Sequence, residues 1–309
     1  MLEIGVQTKG ILPEMDIDKG FRKIHDAGFT RVDINIDCFL KNSDLYDGKV
    51  NPFFDSELNE MIMYFLQYKS AMDKYGIKAS QMHAPYPVRV EGRWEQNNYM
   101  QTVVIPKSIV IAETLGVPWM VVHPFKMQYI YGRERERKEN IEYFKLLVPM
   151  LKQCKVGICF ENLYESVGRR LTEGVCADPE DAVWYIDTLN EYAGEELFGF
   201  CLDVGHLQLV KREPYDFIKK MGSRLKILHL HENDAAGDLH QMPFSFGDKE
   251  DEGLDWNGII RGLKETGFKG TLSFETYPTM NSFPMEMSDA VLKMIHDIGA
   301  YLAGEIEEK

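Results

Sequence analysis

Short apolar runs rich in β-branched residues alternate along this chain with longer stretches whose apolar positions recur at helical spacing. The runs IGVQ (4–7), RVDINID (31–37), KASQMHAP (78–85), WMVVHP (119–124), VGICFENL (156–163), FGFCLDVGH (198–206), LKILHLHEND (225–234) and GTLSFET (270–276) read as strands. Helical patterns follow them over 16–28, 53–76, 98–115, 136–154, 179–190, 213–222, 254–267 and 284–302. Gly28, Gly76, Gly116, Gly222 and Gly267 each lie just past a helical pattern, where a left-handed residue closes the last turn. Asp178 followed by Pro179, and Asp255 before Trp256, fit helix starts. Eight strands alternating with eight helices predict a parallel sheet, and the count of eight predicts closure as a (β/α)8 barrel. The expectation is a single α/β domain over residues 1–309 with extended loops after the strands.

Composition narrows what such a barrel does. Of the 309 residues 44% are apolar and 27% charged, enough for a sizeable core and too apolar for a disordered chain. The net charge of −14 argues against a general nucleic-acid binder, which needs Lys and Arg to displace phosphate counterions. The longest apolar runs, such as Trp119 to Val122 and Val156 to Phe160, are far too short to cross a bilayer. The start, MLEIGVQTKG, has no basic segment leading into an apolar one, so no secretory signal is expected. Five cysteines (Cys38, Cys154, Cys159, Cys176, Cys201) form no CxxC pair and fall mostly in strand-like runs, which suits a reducing cytoplasm.

Strands buried on both faces should be apolar, yet six of these runs end in a residue fit for metal or acid/base chemistry. They are His83, His123, Glu161, Asp203, His231 and Glu275, at intervals of 40, 38, 42, 28 and 44 residues. The intervals track the strand–helix repeat, so these side chains should meet at the C-terminal mouth, where barrels of this kind carry their chemistry. His206, Asp238 and His240 fall in adjoining loops, and His229 lies two residues before His231. His25 and His296 sit in helical patterns and read as ordinary packing. Carboxylates mixed with imidazoles, without cysteine, suit Mn²⁺, Co²⁺, Zn²⁺ or Fe²⁺ in an open site. Glu161, Asp203, His231 and Glu275 are expected to hold one such ion.

At these residues the chain resembles the sugar phosphate isomerase/epimerase family of the xylose-isomerase-like TIM-barrel superfamily. Relatives include tagatose/psicose 3-epimerases, inosose dehydratases and endonuclease IV. The stretches that carry the resemblance are HAPYP at His83, VVHP at His123, FENLYE at Glu161, CLDVGH from Asp203 to His206, LHLHEND followed by DLH, GLDW at Gly253 to Trp256, and LSFET at Glu275. It spans essentially the whole chain. In the epimerase branch it implies Glu161, Asp203, His231 and Glu275 as metal ligands, Glu161 and Glu275 as acid and base, and His206 beside the substrate. That branch has a further glutamate six residues after the first and an arginine six residues after the seventh-strand histidine; Val167 and Gly237 stand there here, with Glu165 the nearest glutamate.

The endonuclease branch implies nine ligands for three zinc ions, and all nine types are matched, with His83, His123, Asp238 and His240 as further candidates for metal or substrate binding. The implied function is a metal-dependent sugar or sugar-phosphate isomerase or epimerase working through an enediolate. The alternatives are a trinuclear-zinc phosphodiesterase and a keto-polyol dehydratase. The resemblance points to a small carbohydrate as partner and leaves a homo-oligomer open. GDKEDEG (247–253) would repel phosphodiesters if it faces the mouth. Tyr86, Phe125, Tyr164 and Phe246 are candidate walls of the site, while Trp119 and Trp256 read as packing. Arg169 and Arg170 would either hold a phosphate or form a solvated loop, and RERERK (133–138) reads as a charged helix start.

Overall fold

The computed structural model describes residues 2–12, 16–127, 129–247 and 253–308; most of the acidic stretch GDKEDEG (248–252) lies outside them. Eight strands are parallel: β1 (Ile4–Gln7), β2 (Arg31–Asn35), β3 (Lys78–His83), β4 (Trp119–Val121), β5 (Gly157–Glu161), β8 (Phe198–Asp203), β9 (Leu225–His229) and β10 (Leu272–Phe274). They follow one another in chain order, with β10 returning to β1. The last seam closes just beyond β9, where Leu230 bridges Phe274; Leu230 N donates to Ser273 O at 2.8 Å and Glu275 N to Leu230 O at 3.1 Å. The expected (β/α)8 barrel therefore forms. No helix among the described residues is long and apolar enough to cross a membrane, and all five cysteines are free thiols.

Side-chain parity explains how a buried strand carries a polar end. Val121, Cys159, Cys201 and Ile227 form a small cluster of their own, with Trp119 beside it. Their chain neighbours Met120, Val122, Ile158, Phe160, Phe200, Leu202 and Leu228 belong to the large cluster. The small cluster fills the barrel interior and the large one joins the strands to the helices. Strand side chains alternate with a period of two, so the residue two places beyond each interior residue also points inward. Those residues are His123, Glu161, Asp203 and His229.

Most departures from the sequence reading are at element ends. The second strand stops at Asn35 and a 3₁₀ turn takes Asp37–Phe39. The helix expected from residue 98 begins at Trp94 and passes through a π segment at Met100–Val104 before Ile105–Leu115. Pro106 has no N–H to donate back one turn, which loosens the ladder there. The final helix runs Ser288–Glu307. Asp178 and Asp255 cap their helices through Glu180 N and Gly258 N. The helix Arg133–Cys154 begins with the RERERK run, and Arg133 and Arg137 both reach the buried Asp181, at 3.3 and 2.6 Å.

One element was not anticipated. β6 (Tyr164–Val167) and β7 (Arg170–Glu173) make an antiparallel hairpin in the loop after β5. Gly168, at φ +65°, opens its two-residue turn, where a side chain would strain the backbone. Arg169 and Arg170 stand exposed at its tip.

Candidate active site

The ends of β3, β4, β5, β8, β9 and β10 converge on a cavity of about 550 Å³ at the C-terminal mouth. His83, His123, Glu161, His206, Asp238, His240 and Glu275 line it, together with Tyr86, Lys126, Tyr164 and Glu165. Arg169 and Arg170 are not among its lining residues. Phe125 turns into the core, stacked 5.0 Å from Tyr143, and Trp256 is buried at its helix start.

Glu161 is the hub. Its Oε2 lies 2.8 Å from His123 Nε2 and 3.4 Å from His83 Nε2; its Oε1 lies 3.4 Å from His206 Nδ1 and 3.5 Å from His229 Nδ1. Asp203 both ends β8 and caps the short helix Val204–Leu209, accepting from His206 N at 2.7 Å. That cap turns the chain back within one turn and returns His206 to the site. Asn162 ties the two strand tops together: its Oδ1 accepts from Asp203 N at 2.9 Å and its Nδ2 donates to Asp203 O at 2.8 Å.

The register pairs Asp203 with His229, which sets His229 rather than His231 level with the carboxylates. Ligand atoms of Glu161, Asp203, His229 and Glu275 all lie within 4.8 Å of one another. The sequence expectation names His231 in place of His229 in this set, and both histidines stand beside its carboxylates. His231 also points inward, one parity step higher. Its Nε2 is 2.9 Å from both Asp203 oxygens, its ring stacks on His240 at 4.0 Å, and with His240 and Glu275 it forms a second group. A third group is His83, His123 and Glu161. Asp238 Oδ2 sits 3.4 Å from His206 Nε2 and 3.2 Å from His240 Nε2. All nine candidates from the sequence thus gather at one mouth. His229 was a secondary candidate in the sequence, and its place depends on where β9 stops.

Electrostatics shows what the cluster lacks. Burial alone would push the His206 and His229 imidazoles toward neutrality. Asp203 and Asp238 outweigh it for His206, and Cys201 and Glu275 for His229, so both hold their protons well above the ordinary range. His240 is raised to about 9 against burial by Asp238 and Glu275. Burial would raise the Glu161 carboxyl, but His123 and His229 hold it well below its usual range. For His123 burial wins and its pKa falls. Carboxylates so concentrated favour the protonated form of His83, His206, His229 and His240. Several buried atoms facing inward also have no hydrogen-bond partner: Glu161 Oε2, His231 Nδ1 and both ring nitrogens of His229. Excess negative charge plus unpaired lone pairs is what a divalent cation satisfies, so the residues fit such an ion.

Residues 21–295 match the family described as xylose isomerase-like TIM barrel. An uncharacterized protein, y4fM, of Sinorhizobium fredii (strain NBRC 101917 / NGR234) is 32% identical over 280 residues, covering 84% of this chain and 82% of that protein. Among solved structures, 3-keto-D-glucoside 4-epimerase from E. coli superposes with a TM-score of 0.70 at 15% identity, over 96% of this chain and 100% of that one. D-allulose 3-epimerase from Methylomonas sp. gives 0.67 at 14% identity, over 97% and 98%. At such identities the structural likeness speaks for the shared barrel.

Proposed function

Because this chain belongs to the xylose isomerase-like TIM-barrel family, we propose that it is a divalent-metal-dependent isomerase or epimerase of a sugar or sugar phosphate. The observation that carries the reading is the convergence of Glu161, Asp203, His229 and Glu275 within 4.8 Å. Glu161 and Glu275 line the cavity of about 550 Å³, a volume in the small-molecule range of about 300–1,000 Å³. The two solved structures named above are epimerases of carbohydrates by name, which supports the substrate class.

Those four residues would hold Mn²⁺, Zn²⁺, Co²⁺ or Fe²⁺. Such an ion, when bound, would polarise a substrate carbonyl and stabilise negative charge on its oxygen. Glu161 and Glu275 flank His229 Nδ1, at 3.5 and 3.2 Å. One takes the proton from the carbon beside the carbonyl and the other returns a proton. Return to the opposite face of the same carbon gives an epimer; return to the neighbouring carbon gives the aldose–ketose isomer. His206 donates from Nδ1 to Asn162 O at 2.8 Å and turns Nε2 toward Asp238 Oδ2 at 3.4 Å, on the cavity side where it would meet a substrate hydroxyl. Tyr86 and Tyr164 wall the cavity beside His123 and His206, with ring centroids 4.1 and 5.1 Å away. Exclusion of water by these rings strengthens the interactions inside.

The test is elemental analysis of purified protein, followed by incubation of the loaded enzyme with a panel of ketoses and their phosphates in D₂O. One ion per chain and solvent deuterium at the carbon beside the carbonyl are expected. No bound ion, or no exchange across the panel, rejects the reading. A second reading has its own observation: the nine donors divide into neighbouring groups, with Asp238 between His206 and His240. That supply suits up to three zinc ions and an endonuclease IV-like phosphodiesterase. It requires about three ions per chain and incision at abasic DNA, against the −14 net charge. A keto-polyol dehydratase would use the same proton abstraction and reveal itself by loss of water.

A further inference from the structure

The cavity at the barrel mouth has a floor and a lip. Glu161 and His83 on its floor are buried, whereas Asn42 and Tyr46 on its lip are exposed, Tyr46 by 51%. The lip comes from the long loops after β2 and β3. The first carries the short helix Asn42–Tyr46, between 3₁₀ turns at Asp37–Phe39 and Pro52–Asp55. Asn42 and Tyr46 stand four residues apart, on one face of that helix, and both line the cavity. The helix is anchored: Leu45 is buried, and its carbonyl accepts from Gln96 Nε2 at 2.8 Å. Asn97 clasps the second loop, with Oδ1 accepting from Val90 N and Nδ2 donating to Val90 O, both at 2.8 Å. One helix, Trp94–Tyr99, thus fixes both loops. An aromatic ring held half in water on an anchored element is a surface for a ligand to cover.

Size and charge both bear on what that ligand is. The cavity measures about 550 Å³. Even at the about 30 Å³ that a water molecule claims in the liquid, the twelve heavy atoms of a hexose take about 360 Å³, and bonded atoms need less. At least about a third of the space is left over. A phosphate would need cations free to receive it. The cations lining the cavity are Arg89 and Lys126, against Glu91, Glu161, Glu165, Asp238 and Glu275. The buried Arg89 guanidinium is already shared by Glu91 at 3.2 Å and Glu139 at 3.1 Å. Lys126 donates to Tyr164 O at 3.2 Å, and burial lowers its pKa. The lip therefore offers a ring and an amide rather than an anion site.

We propose that Asn42 and Tyr46 form a second sugar subsite, so that the substrate is an uncharged disaccharide whose reacting unit lies at Glu161 and Glu275. The inference rests on the sugar-site reading above, and not on which residues hold an ion. The Tyr46 ring covers the apolar face of the second sugar ring, and Asn42 Nδ2 donates to one of its hydroxyls; Asn42 Oδ1 is already engaged by Ser43 N at 2.7 Å. The glycosidic bond stays intact, and the carbonyl carbon of the reacting unit stays outside it.

The test titrates the full chain, supplied with Mn²⁺, with fructose, fructose 6-phosphate, lactulose, maltulose and isomaltulose in a calorimeter. Each of the three disaccharides keeps a ketose carbonyl beside a second ring. At least one of them should bind tighter than both fructose and its phosphate. Y46A should then lower the ratio of disaccharide to fructose affinity by about threefold or more, through the apolar area it uncovers. Y46F keeps the ring and should preserve the ratio. If Y46A does not fold by far-UV circular dichroism, N42A removes the amide donor and should lower the ratio in the same direction. A smaller change in Y46A, or an unchanged ratio in N42A, overturns the proposal. Tightest binding of fructose overturns it too, and tightest binding of fructose 6-phosphate does so in favour of a phosphate beside Lys126. Wild type that binds none of the five removes the sugar-site reading and this proposal with it; wild type that binds fructose or its phosphate but no disaccharide removes this proposal alone.

Discussion

Glu161→Gln is the sharpest perturbation of the site. The side chain is isosteric, yet it removes one of the three carboxylates that converge with His229. It also sets an amide among His83, His123, His206 and His229, all within 3.5 Å of the present oxygens. The magnitude can be read through thermal stability. An ion present at a hundred times its dissociation constant stabilises the folded chain by about 2.7 kcal/mol. For 309 residues, at about 2.1 cal/mol/K each, the unfolding entropy is about 0.65 kcal/mol/K, so the wild-type Tm should rise by about 4 °C. If the substitution weakens binding about a hundredfold, the same ion concentration leaves about 0.4 kcal/mol, a shift below about 1 °C. The assay is a pair of melting scans on chelator-treated protein, with and without Mn²⁺ or Zn²⁺, run beside deuterium exchange in the ketose panel. The metal-free variant should melt close to wild type and show no exchange. A variant that gains the full 4 °C shift, or keeps its turnover, would refute the assignment of Glu161 as both ligand and proton carrier.

Gly205→Ala builds a Cβ only 2.1 Å from His231 Cε1 and 2.5 Å from its Nδ1. The buried ring must leave Asp203, at about 1–3 kcal/mol in a urea titration; a change below about 0.5 kcal/mol would show the ring is free to move. Burial raises the Glu136 carboxyl from 4.5 to about 7, although Met127 N donates to it at 2.9 Å. Its folded pKa exceeds the unfolded one, so the folded chain loses stability as pH rises from about 4.5 to about 7. Glu136→Gln should match wild type near pH 4.5 and exceed it above pH 7 by at most about 3 kcal/mol; a gap that does not vary with pH rejects the burial argument. Asp181→Ala leaves Arg133 and Arg137 without their shared carboxylate. It should cost about 1–3 kcal/mol, and the cost should persist in high salt because Asp181 is buried. Loss of the effect in salt would mark the pair as a surface contact.

The hairpin Tyr164–Glu173 shows where sequence reading stops. Its alternation is weak and its faces are half exposed, so no apolar stripe announced it. The signal present was Gly168 before two arginines, which read equally well as a loop. Asp33 and Gln81 carried no signal at all, since each is a polar residue in the middle of a strand and only the barrel brings Gln81 Nε2 to donate to Asp33 Oδ2 at 3.1 Å in its interior. Lys126, which reaches Tyr164 O at 3.2 Å across the cavity, was likewise invisible.

By itself the sequence determined the eight strand–helix units, the glycines that end several helices, and the inward parity that sends polar residues from the strand ends to one mouth. These are short-range properties, written in local periodicity and steric limits. Tertiary structure decided which histidine stands level with Asp203 and how nine donors divide into neighbouring groups. Those depend on the stagger between strands, where a step of two residues keeps a side chain on the same face but moves it up the barrel by about 6–7 Å. Local pattern cannot distinguish His229 from His231 because both satisfy the parity; only the hydrogen-bonded register against the neighbouring strand sets their height.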